Sequence, residues 1–229
     1  MTKIGFIGSG NVGKAVAKLA VDAGNEVLMS NSRGPESLGE TVAWLGDNAS
    51  AGTVSEVAAQ ADLVLVSIPL NKIDSLPAEQ LRGKIVIDAN NYYPDRDGRI
   101  PDLEEETSTT SELLQDVLPE SSVVKALNHI YASEVLDQVR PESGAARALI
   151  VAGDDADSKS VVAGHLGSWG FDVLDLGPLS EGWRIQRDTP GYVANLDLAG
   201  LQEAVAKAKR YADMSPSELS GGVPAAGDL

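Results

Sequence analysis

Three glycines at fixed spacing, Gly8, Gly10 and Gly13, lie between a short apolar segment and a stretch whose apolar residues recur at every third or fourth position. The segment before them, Lys3–Ile7, has the composition of a buried parallel strand. A second apolar run follows at Glu26–Met29. This order predicts a strand, a tight turn, a helix and a second strand, which is the βαβ unit of dinucleotide-binding folds.

Each glycine has a separate task in such a unit. Gly8 permits the tight turn, Gly10 leaves the backbone open to a pyrophosphate, and Gly13 lets the helix pack close to the strand. Free N–H groups at the start of the helix attract phosphate oxygens. The alternative is a glycine-rich turn without a ligand. We expect the cofactor loop to consist of Gly8, Ser9, Gly10, Asn11, Val12 and Gly13.

The end of the second predicted strand distinguishes the two nicotinamide cofactors. NAD sites place Asp or Glu there, whereas NADP sites supply an arginine. This chain continues with Asn31, Ser32 and Arg33. A guanidinium group can donate two hydrogen bonds to a phosphate, and a serine hydroxyl can add a third. The sequence therefore predicts NADP(H), with a solvated turn arginine as the alternative.

Further apolar runs alternate with helical patterns along the rest of the chain. The additional strands are predicted at Leu63–Val66, Lys84–Ile87, Ser122–Ala126, Leu149–Ala152 and Phe171–Asp175. Runs that are apolar on both faces are typical of parallel strands covered by helices on both sides. The predicted fold is α/β: a Rossmann-type, doubly wound, mostly parallel sheet with a small C-terminal α/β extension.

Changes in composition suggest where this fold divides. We predict an NADP-binding Rossmann domain at residues 1–128, an extension at 129–214 that closes the acceptor site, and a flexible tail at 215–229 that is rich in Ser, Gly, Pro and Ala. The polar segment 92–108 contains many turn-forming residues and is predicted to be a long loop near the site.

Polar residues follow several of the predicted strands, where ligands bind in open α/β sheets. Ile68 and Pro69 can wall the nicotinamide ring, and Asn90 and Asn91 can bind its carboxamide or ribose, unless they only close turns. His129 is a candidate proton donor or, alternatively, an exposed loop residue. The residues expected on the nicotinamide side are Ser67, Ile68, Pro69, Ala89, Asn90 and Asn91. Lys72, which follows them, could contact a phosphate of the cofactor or simply be solvated.

Composition excludes several functions. The net charge is −16, so the chain repels nucleic acids and anionic membranes. It has no cysteine and two histidines, and no metal-ligand spacing, so we expect no metal centre. It contains no long apolar run, and it begins with what is predicted to be a core strand, from which we expect a cytoplasmic protein.

Several motifs together are more specific than the glycines alone. They are Ile7–Gly13, Ser32–Arg33, Ser67–Pro69, Val123–Leu127, Ala152–Asp155 and Asp175–Leu179. With these motifs the chain resembles, from Lys3 to about Tyr192, the NADPH-dependent coenzyme F420 reductases, and more distantly the NADPH-binding domain of the STEAP metalloreductases. The resemblance implies NADPH with its 2′-phosphate near Ser32 and Arg33, a deazaflavin over the nicotinamide, and a homodimer.

The resemblance implies hydride transfer between NADPH and coenzyme F420 or a flavin. Arg184 and Arg187, with Arg96 and Arg99 of the segment 92–108, would then bind the anionic tail of F420. Trp183 would stack on the ring or wall it off. Two alternatives stay open: an NADPH-dependent reductase of a small imine, carbonyl or quinone, and a non-catalytic sensor of NADP(H). The expected acceptor pocket consists of Asn128, His129, Ile130, Gly177, Pro178, Leu179 and Trp183.

Overall fold

The computed structural model of the chain describes residues 1–137 and 140–219. Within these residues, eight strands form one sheet. The strands are β1 (Lys3–Ile7), β2 (Glu26–Ser30), β3 (Ala49–Ala51), β4 (Leu63–Val66), β5 (Ile85–Asp88), β6 (Ser122–Lys125), β7 (Ala148–Gly153) and β8 (Asp172–Asp175). The short strand β3 was not predicted from the sequence.

The strand order is β3-β2-β1-β4-β5-β6-β7-β8. Strands β1 to β6 pair in parallel, in the order of the Rossmann fold, and the predicted fold class is confirmed. Strand β7 pairs antiparallel with β6, and β8 is parallel to β7. The carboxyl ends of β7 and β8 therefore point in the direction opposite to the carboxyl ends of β1 to β6.

Helices cover both faces of the sheet. They are α1 (Asn11–Asp22), α2 (Gly39–Leu45), α3 (Val54–Gln60), α4 (Ala78–Leu81), α5 (Pro94–Asp97), α6 (Pro101–Glu104), α7 (Thr110–Val117), α8 (Ala132–Asp137), α9 (Ala156–Ser168), α10 (Leu198–Ala206) and α11 (Pro216–Leu219). Buried side chains of α1, α2, α8 and α9 share one apolar cluster with the sheet. Those of α3, α4 and α7 pack on the opposite face, and α10 packs on β7.

Local sequence sets the start of two of these helices. The side chains of Thr53 and Thr109 each accept a hydrogen bond from the backbone N–H of the residue three positions later, Glu56 or Glu112. The side chain of that glutamate in turn accepts a hydrogen bond from the backbone N–H of the threonine. This reciprocal capping box satisfies two N–H groups that a helix otherwise leaves unpaired. The second box begins α7 beside the carboxyl ends of β5 and β6, where the site lies.

The segment 92–108 is not the long loop predicted from its composition. It contains the single-turn helices α5 and α6, each with a proline in its first turn, where proline favours helix initiation. The buried carboxylate of Asp97 fixes this segment, because it accepts hydrogen bonds from the backbone N–H groups of Leu70 and Tyr93 and from the Arg96 side chain. The segment is thereby held against the site.

The C-terminal region continues the same sheet through β7 and β8. A domain boundary at residue 128 stays a prediction. Of the predicted tail, residues 215–219 contain α11, and residues 220–229 lie outside the described part of the chain. No helix of the described ranges combines the length and apolarity needed to cross a membrane.

Candidate cofactor and acceptor site

The turn between β1 and α1 can be built only with glycine at two positions. Gly8 has a φ of +117°, and its N–H donates to the Ser30 carbonyl at 3.1 Å. A Cβ atom on Gly8 would lie 2.0 Å from the Ser67 carbonyl oxygen, and one on Gly13 would lie 2.3 Å from the Gly8 carbonyl oxygen. Strand, turn and helix are therefore packed too closely for any side chain there.

Gly10 is different, because a Cβ atom there would meet no atom within 4 Å. It is the N-cap residue of α1, and no side chain caps the helix or places a carboxylate in its first turn. The partial positive charge of the helix start thus faces open space. This cradle fits a pyrophosphate group, which needs free N–H groups and close approach to the backbone.

Asn31 ties the ends of β1 and β2 together. Its Nδ2 donates to the hydroxyls of Ser9 at 3.1 Å and Ser37 at 2.9 Å, and its Oδ1 accepts from the backbone N–H of Arg33 at 2.9 Å. The side chains of Ser32 and Arg33 are exposed beyond this anchor. Among the described residues, none forms an ion pair with Arg33, so its guanidinium is available to a phosphate.

A cleft of about 250 Å³ continues from the glycine cradle across the carboxyl ends of β4, β5 and β6. The structure brings eleven of the predicted residues together there. They are Gly10, Asn11, Val12, Ser67, Ile68, Pro69, Ala89, Asn90, Asn91, Asn128 and Ile130. Three further residues complete the lining, namely Tyr93, Arg96 and Leu127. Lys72 is exposed and does not line this cleft.

Asn90 presents an unused donor at this cleft. Its Oδ1 accepts from the backbone N–H of Ile68 at 2.9 Å, and its own backbone N–H donates to Asp88 Oδ1 at 2.9 Å. The side chain is buried, and its Nδ2 has no hydrogen-bond partner. A buried donor of this kind calls for an acceptor from a ligand or a water molecule.

A buried ion pair holds the strand ends beneath the cleft. Lys125 Nζ lies 3.1 Å from Asp88 Oδ2 and also donates to the Asn90 carbonyl and to Thr110 Oγ1 at 3.0 Å. Ser111 donates to the same Asp88 oxygen at 2.6 Å. Burial lowers the pKa of Lys125, and Asp88 opposes that shift. This network was not predicted from the sequence, although a lysine at the end of an otherwise apolar strand could have indicated it.

A second, smaller cavity of about 30 Å³ lies beyond Asn128, which lines both spaces. Asn128 Nδ2 donates to Asn91 Oδ1 at 3.2 Å and to the Ile185 carbonyl at 3.1 Å, while its buried Oδ1 is unpartnered. Of the predicted acceptor residues, Asn128 and Trp183 line this cavity. Arg210 and Tyr211 also line it, and no sequence motif pointed to either.

His129 lies away from both cavities. It is fully buried, and its Nε2 accepts a hydrogen bond from the backbone N–H of Ile150 at 3.1 Å. Burial, together with the positive charges of Arg147 and Lys125, lowers the pKa of His129 to about 3. Because its ring is fully buried and lines neither cavity, His129 cannot pass a proton to a substrate bound there. Both predicted roles for His129, proton donor and exposed loop residue, are wrong.

The predicted acceptor residues Gly177, Pro178 and Leu179 follow β8 and line neither cavity. The Leu179 N–H donates to Asp154 Oδ1 at 3.0 Å, and its carbonyl accepts from Thr109 Oγ1 at 3.3 Å. The chain then returns toward the site through the 3-10 helix Leu179–Ile185. Its second half, together with residues 186 and 187, lines the small cavity.

Trp183 lines the cavity, but its ring is already in contact with two cations. The guanidinium carbons of Arg184 and Arg210 lie 4.4 and 4.5 Å from the ring centroid. Arg184 also pairs with Glu181. An acceptor ring would therefore compete with these groups for the indole, and Arg184 does not line the cavity whereas Arg187 does.

Comparison with known proteins places this geometry in a family. The family model for NADP oxidoreductase, coenzyme F420-dependent, matches residues 3–92. A solved structure of a candidate F420-dependent NADP-reductase from Arthrobacter sp. is 31% identical with a TM-score of 0.70, covering 80% of this chain and 87% of that one. A hypothetical protein from Sinorhizobium meliloti is 28% identical with a TM-score of 0.74, covering 86% and 95%.

A curated relative is longer. Metalloreductase STEAP3 from Rattus norvegicus is 28% identical over 186 residues, which are 80% of this chain. The chain spans 36% of the length of that protein. Fold, cradle and comparisons together place the chain among the Rossmann-type proteins of the NADP oxidoreductase class. Within that class, the chain belongs to the family of coenzyme F420-dependent NADP oxidoreductases.

Proposed function

We propose that this protein transfers a hydride between NADPH and a flat acceptor of the deazaflavin (coenzyme F420) or flavin type. The observation that carries the proposal is the position of Asn128, which forms a wall of both the nicotinamide-sized cleft and the smaller cavity beside it. An acceptor that extends from the small cavity past this residue would meet a nicotinamide bound in the cleft. Hydride transfer chiefly requires that donor and acceptor rings be held close and correctly oriented.

Each part of the cleft has a distinct task in this proposal. The cradle from Gly8 to Gly13 holds the pyrophosphate, and Ser32 and Arg33 bind the 2′-phosphate. Ile68 and Pro69 wall one side of the nicotinamide site. The free Nδ2 of Asn90 donates to the carboxamide oxygen, which would satisfy the buried donor. When bound, the cofactor supplies the hydride.

The reaction balances without an ionised catalytic side chain. Bound NADPH would supply a hydride and leave as NADP⁺, and the acceptor would take up that hydride together with one proton from solvent. The residues of this chain orient the two rings and keep bulk water from the space between them. The lowered pKa of the buried His129 is consistent with this scheme, because the scheme requires no protonated imidazole.

The volume of the small cavity supports a second candidate function. The small cavity holds about 30 Å³, whereas cavities of about 150 Å³ take a single benzene ring. In this conformation a small imine, carbonyl or quinone, which can bind in the nicotinamide cleft without entering the small cavity, fits better than a tricyclic ring. The reductase chemistry is the same, and only the size of the acceptor differs.

The test is an acceptor panel. The protein is mixed with NADPH and, separately, with F420, FMN, FAD, riboflavin and benzoquinone, and the loss of nicotinamide absorbance is followed, with Gly10→Val as the control that cannot bind cofactor. Turnover of F420 or a flavin supports the first proposal. Turnover of benzoquinone alone supports the second. NADPH binding without turnover of any acceptor contradicts both and favours the NADP(H) sensor.

We also propose that the protein is a homodimer, as the family resemblance implies, that its substrates are small molecules rather than nucleic acids or membranes, and that it works in the cytoplasm. The net charge of −16 supports the exclusion of polyanionic partners. An anionic cofactor must then be bound by local groups, which the helix start and Arg33 supply.

A further inference from the structure

The residues that close the small cavity come from the C-terminal part of the chain. After α10 ends at Ala206, residues 207–214 cross the site, and this segment is called the cap below. Its residues Arg210 and Tyr211 form one wall of the cavity. Trp183, Arg187 and Asn128 also line this cavity.

One carboxylate fastens the cap to the rest of the molecule. Glu106 Oε1 accepts the backbone N–H of Tyr211 at 2.8 Å, and Oε2 accepts that of Ala212 at 2.9 Å. The Glu106 carbonyl also accepts from Arg210 at 3.4 Å. Glu106 has a φ of +54°, which is uncommon for a glutamate. Glu106 thus has an unfavourable backbone conformation while its side chain accepts both hydrogen bonds from the cap.

Two side chains add further contacts. The Tyr211 hydroxyl donates to the Arg187 carbonyl at 3.0 Å, which links the cap to the segment that follows the 3-10 helix. Arg210 lies over the Trp183 ring at 4.5 Å from its centroid. With both contacts made, the space left beside Asn128 is about 30 Å³, enough for a water molecule or two and too small for an aromatic ring.

We propose that the cap is the specificity element of the acceptor site: while Glu106 holds it, the cavity excludes any ring, so only small acceptors that fit beside the nicotinamide in the larger cleft can react, and a tricyclic ring can enter only when the cap moves away. Glu106, Arg210 and Tyr211 are then positioning residues that determine acceptor size. This inference rests on the proposed reductase function, because it concerns which acceptors reach the nicotinamide. It assigns no role in hydride transfer to the cap itself.

The first experiment compares Glu106→Ala with Glu105→Ala, which removes the same charge from the exposed neighbouring position. The measured quantity is the ratio of kcat/KM for FMN to kcat/KM for benzoquinone, with NADPH as donor. Since losing a bond to a charged group corresponds to roughly tenfold or more in an equilibrium, we expect Glu106→Ala to raise this ratio about tenfold. Glu105→Ala should keep the wild-type ratio and the wild-type Kd for NADPH.

The double variant Arg210→Ala, Tyr211→Ala removes the wall and keeps Glu106, so it tests the inference even if Glu106→Ala does not fold. Direct binding of FMN to NADP⁺-loaded protein, followed by flavin fluorescence, separates the cap from turnover. If no acceptor oxidises NADPH, the proposed function fails, while a gain in FMN affinity in both variants still supports the cap. Wild-type FMN affinity and an unchanged ratio in every folded variant would overturn it.

Discussion

A single guanidinium group is expected to decide between NADPH and NADH. Arg33 lies exposed at the end of β2, with its backbone fixed by Asn31 and no ion pair to a described residue. Arg33→Ala should therefore weaken NADPH binding by about 10–150-fold, because a lost bond to a charged group costs about 1.5–3 kcal/mol. NADH lacks the 2′-phosphate and should bind almost as before. Titration of both cofactors by fluorescence measures the difference.

Arg82→Ala is the matched control, since Arg82 is a half-exposed arginine that pairs with Glu79 and Glu120 at the far end of the molecule. It should leave the Kd of both cofactors unchanged. An equal loss of NADPH and NADH affinity in Arg33→Ala would show that Arg33 does not bind the 2′-phosphate.

Buried His129 makes the stability of the protein depend on pH. Its pKa is about 3 in the folded chain and close to 6.5 when exposed, so below pH 6.5 the unfolded chain binds a proton that the folded chain does not. Stability from this group is complete above pH 6.5 and falls by about 1.4 kcal/mol per pH unit below it. Between pH 6.5 and 5 we expect a loss of roughly 2 kcal/mol in the free energy of unfolding, measured with urea.

His129→Gln should be less stable at pH 7.5 but should lose most of this slope, because glutamine does not titrate. His165 is half-buried and has a pKa that burial also lowers, so His165→Gln is the necessary comparison. It should keep most of the wild-type slope. A wild-type slope in His129→Gln would mean that another group causes the pH dependence.

Residue roles that depend on local chemistry were predictable from the sequence, whereas roles that depend on burial were not. The glycine spacing and the polar strand ends predicted the cleft, since turn geometry is set by neighbouring residues. His129 could not be placed, because its partner Ile150 is 21 positions away and belongs to a strand whose direction was unknown. Lys125 was missed for the same reason: its partner Asp88 is on another strand.

At the scale of elements, the glycine turn gives a sharp contrast between two substitutions. Gly10 has extended backbone angles and open space around it, so Gly10→Val should fold normally, with a Tm within about 2 °C of wild type. Its side chain would occupy the pyrophosphate position, and binding of NADPH and NADH should be abolished. Differential scanning fluorimetry and cofactor titration check both parts.

Gly8→Ala is the paired variant. Its Cβ would lie 2.0 Å from a carbonyl oxygen at a φ of +117°, so roughly 2 kcal/mol or more of stability should be lost, a fall in Tm of about 4 °C or more. If Gly10→Val bound NADPH like wild type, the cradle would not be the pyrophosphate site. A Gly8→Ala variant with the Tm of wild type would contradict the packing described for the turn.

The direction of strand β7 explains the largest error at this scale. An apolar run such as Leu149–Ala152 indicates a buried strand but carries no information on its direction, which depends on contacts with β6 far away in sequence. Because β7 and β8 run against β6, the end of β8 does not lie beside the carboxyl ends of the parallel strands, and Gly177, Pro178 and Leu179 line neither cavity. Apart from the short β3, the parallel strands β1 to β6 were easier to predict, since helical crossovers between them leave a periodic pattern.

At the scale of the whole molecule, several of the charges around the site are opposite in sign to the net charge of the chain. The chain carries −16, yet Lys125, Arg187 and Arg210 line the small cavity and Arg33 lies at the opposite end of the cofactor site. A charge placed beside a bound phosphate acts at short range, whereas the net field is screened over about 10 Å at 0.1 M salt. An acidic protein can therefore bind an anionic cofactor and still repel nucleic acids.

The C-terminal end of the whole chain should be dispensable for folding and cofactor binding. Residues 215–219 contact the remainder through the pair of Lys209 and Glu218, whose side chains are about half exposed, and Leu219 is exposed as well. Exposed ion pairs contribute about 0–1 kcal/mol. A chain that ends at Met214 should therefore keep its fold, its affinity for NADPH and the wild-type FMN-to-benzoquinone ratio, and it should still sediment as a dimer.

A chain that ends at Ala208 loses Arg210 and Tyr211 and should show the raised ratio of an open cap while still dimerising. Sedimentation velocity and the acceptor assay test both truncations: a monomeric chain ending at Met214 would place the dimer contact in the last fifteen residues, and a monomeric wild type would refute the homodimer.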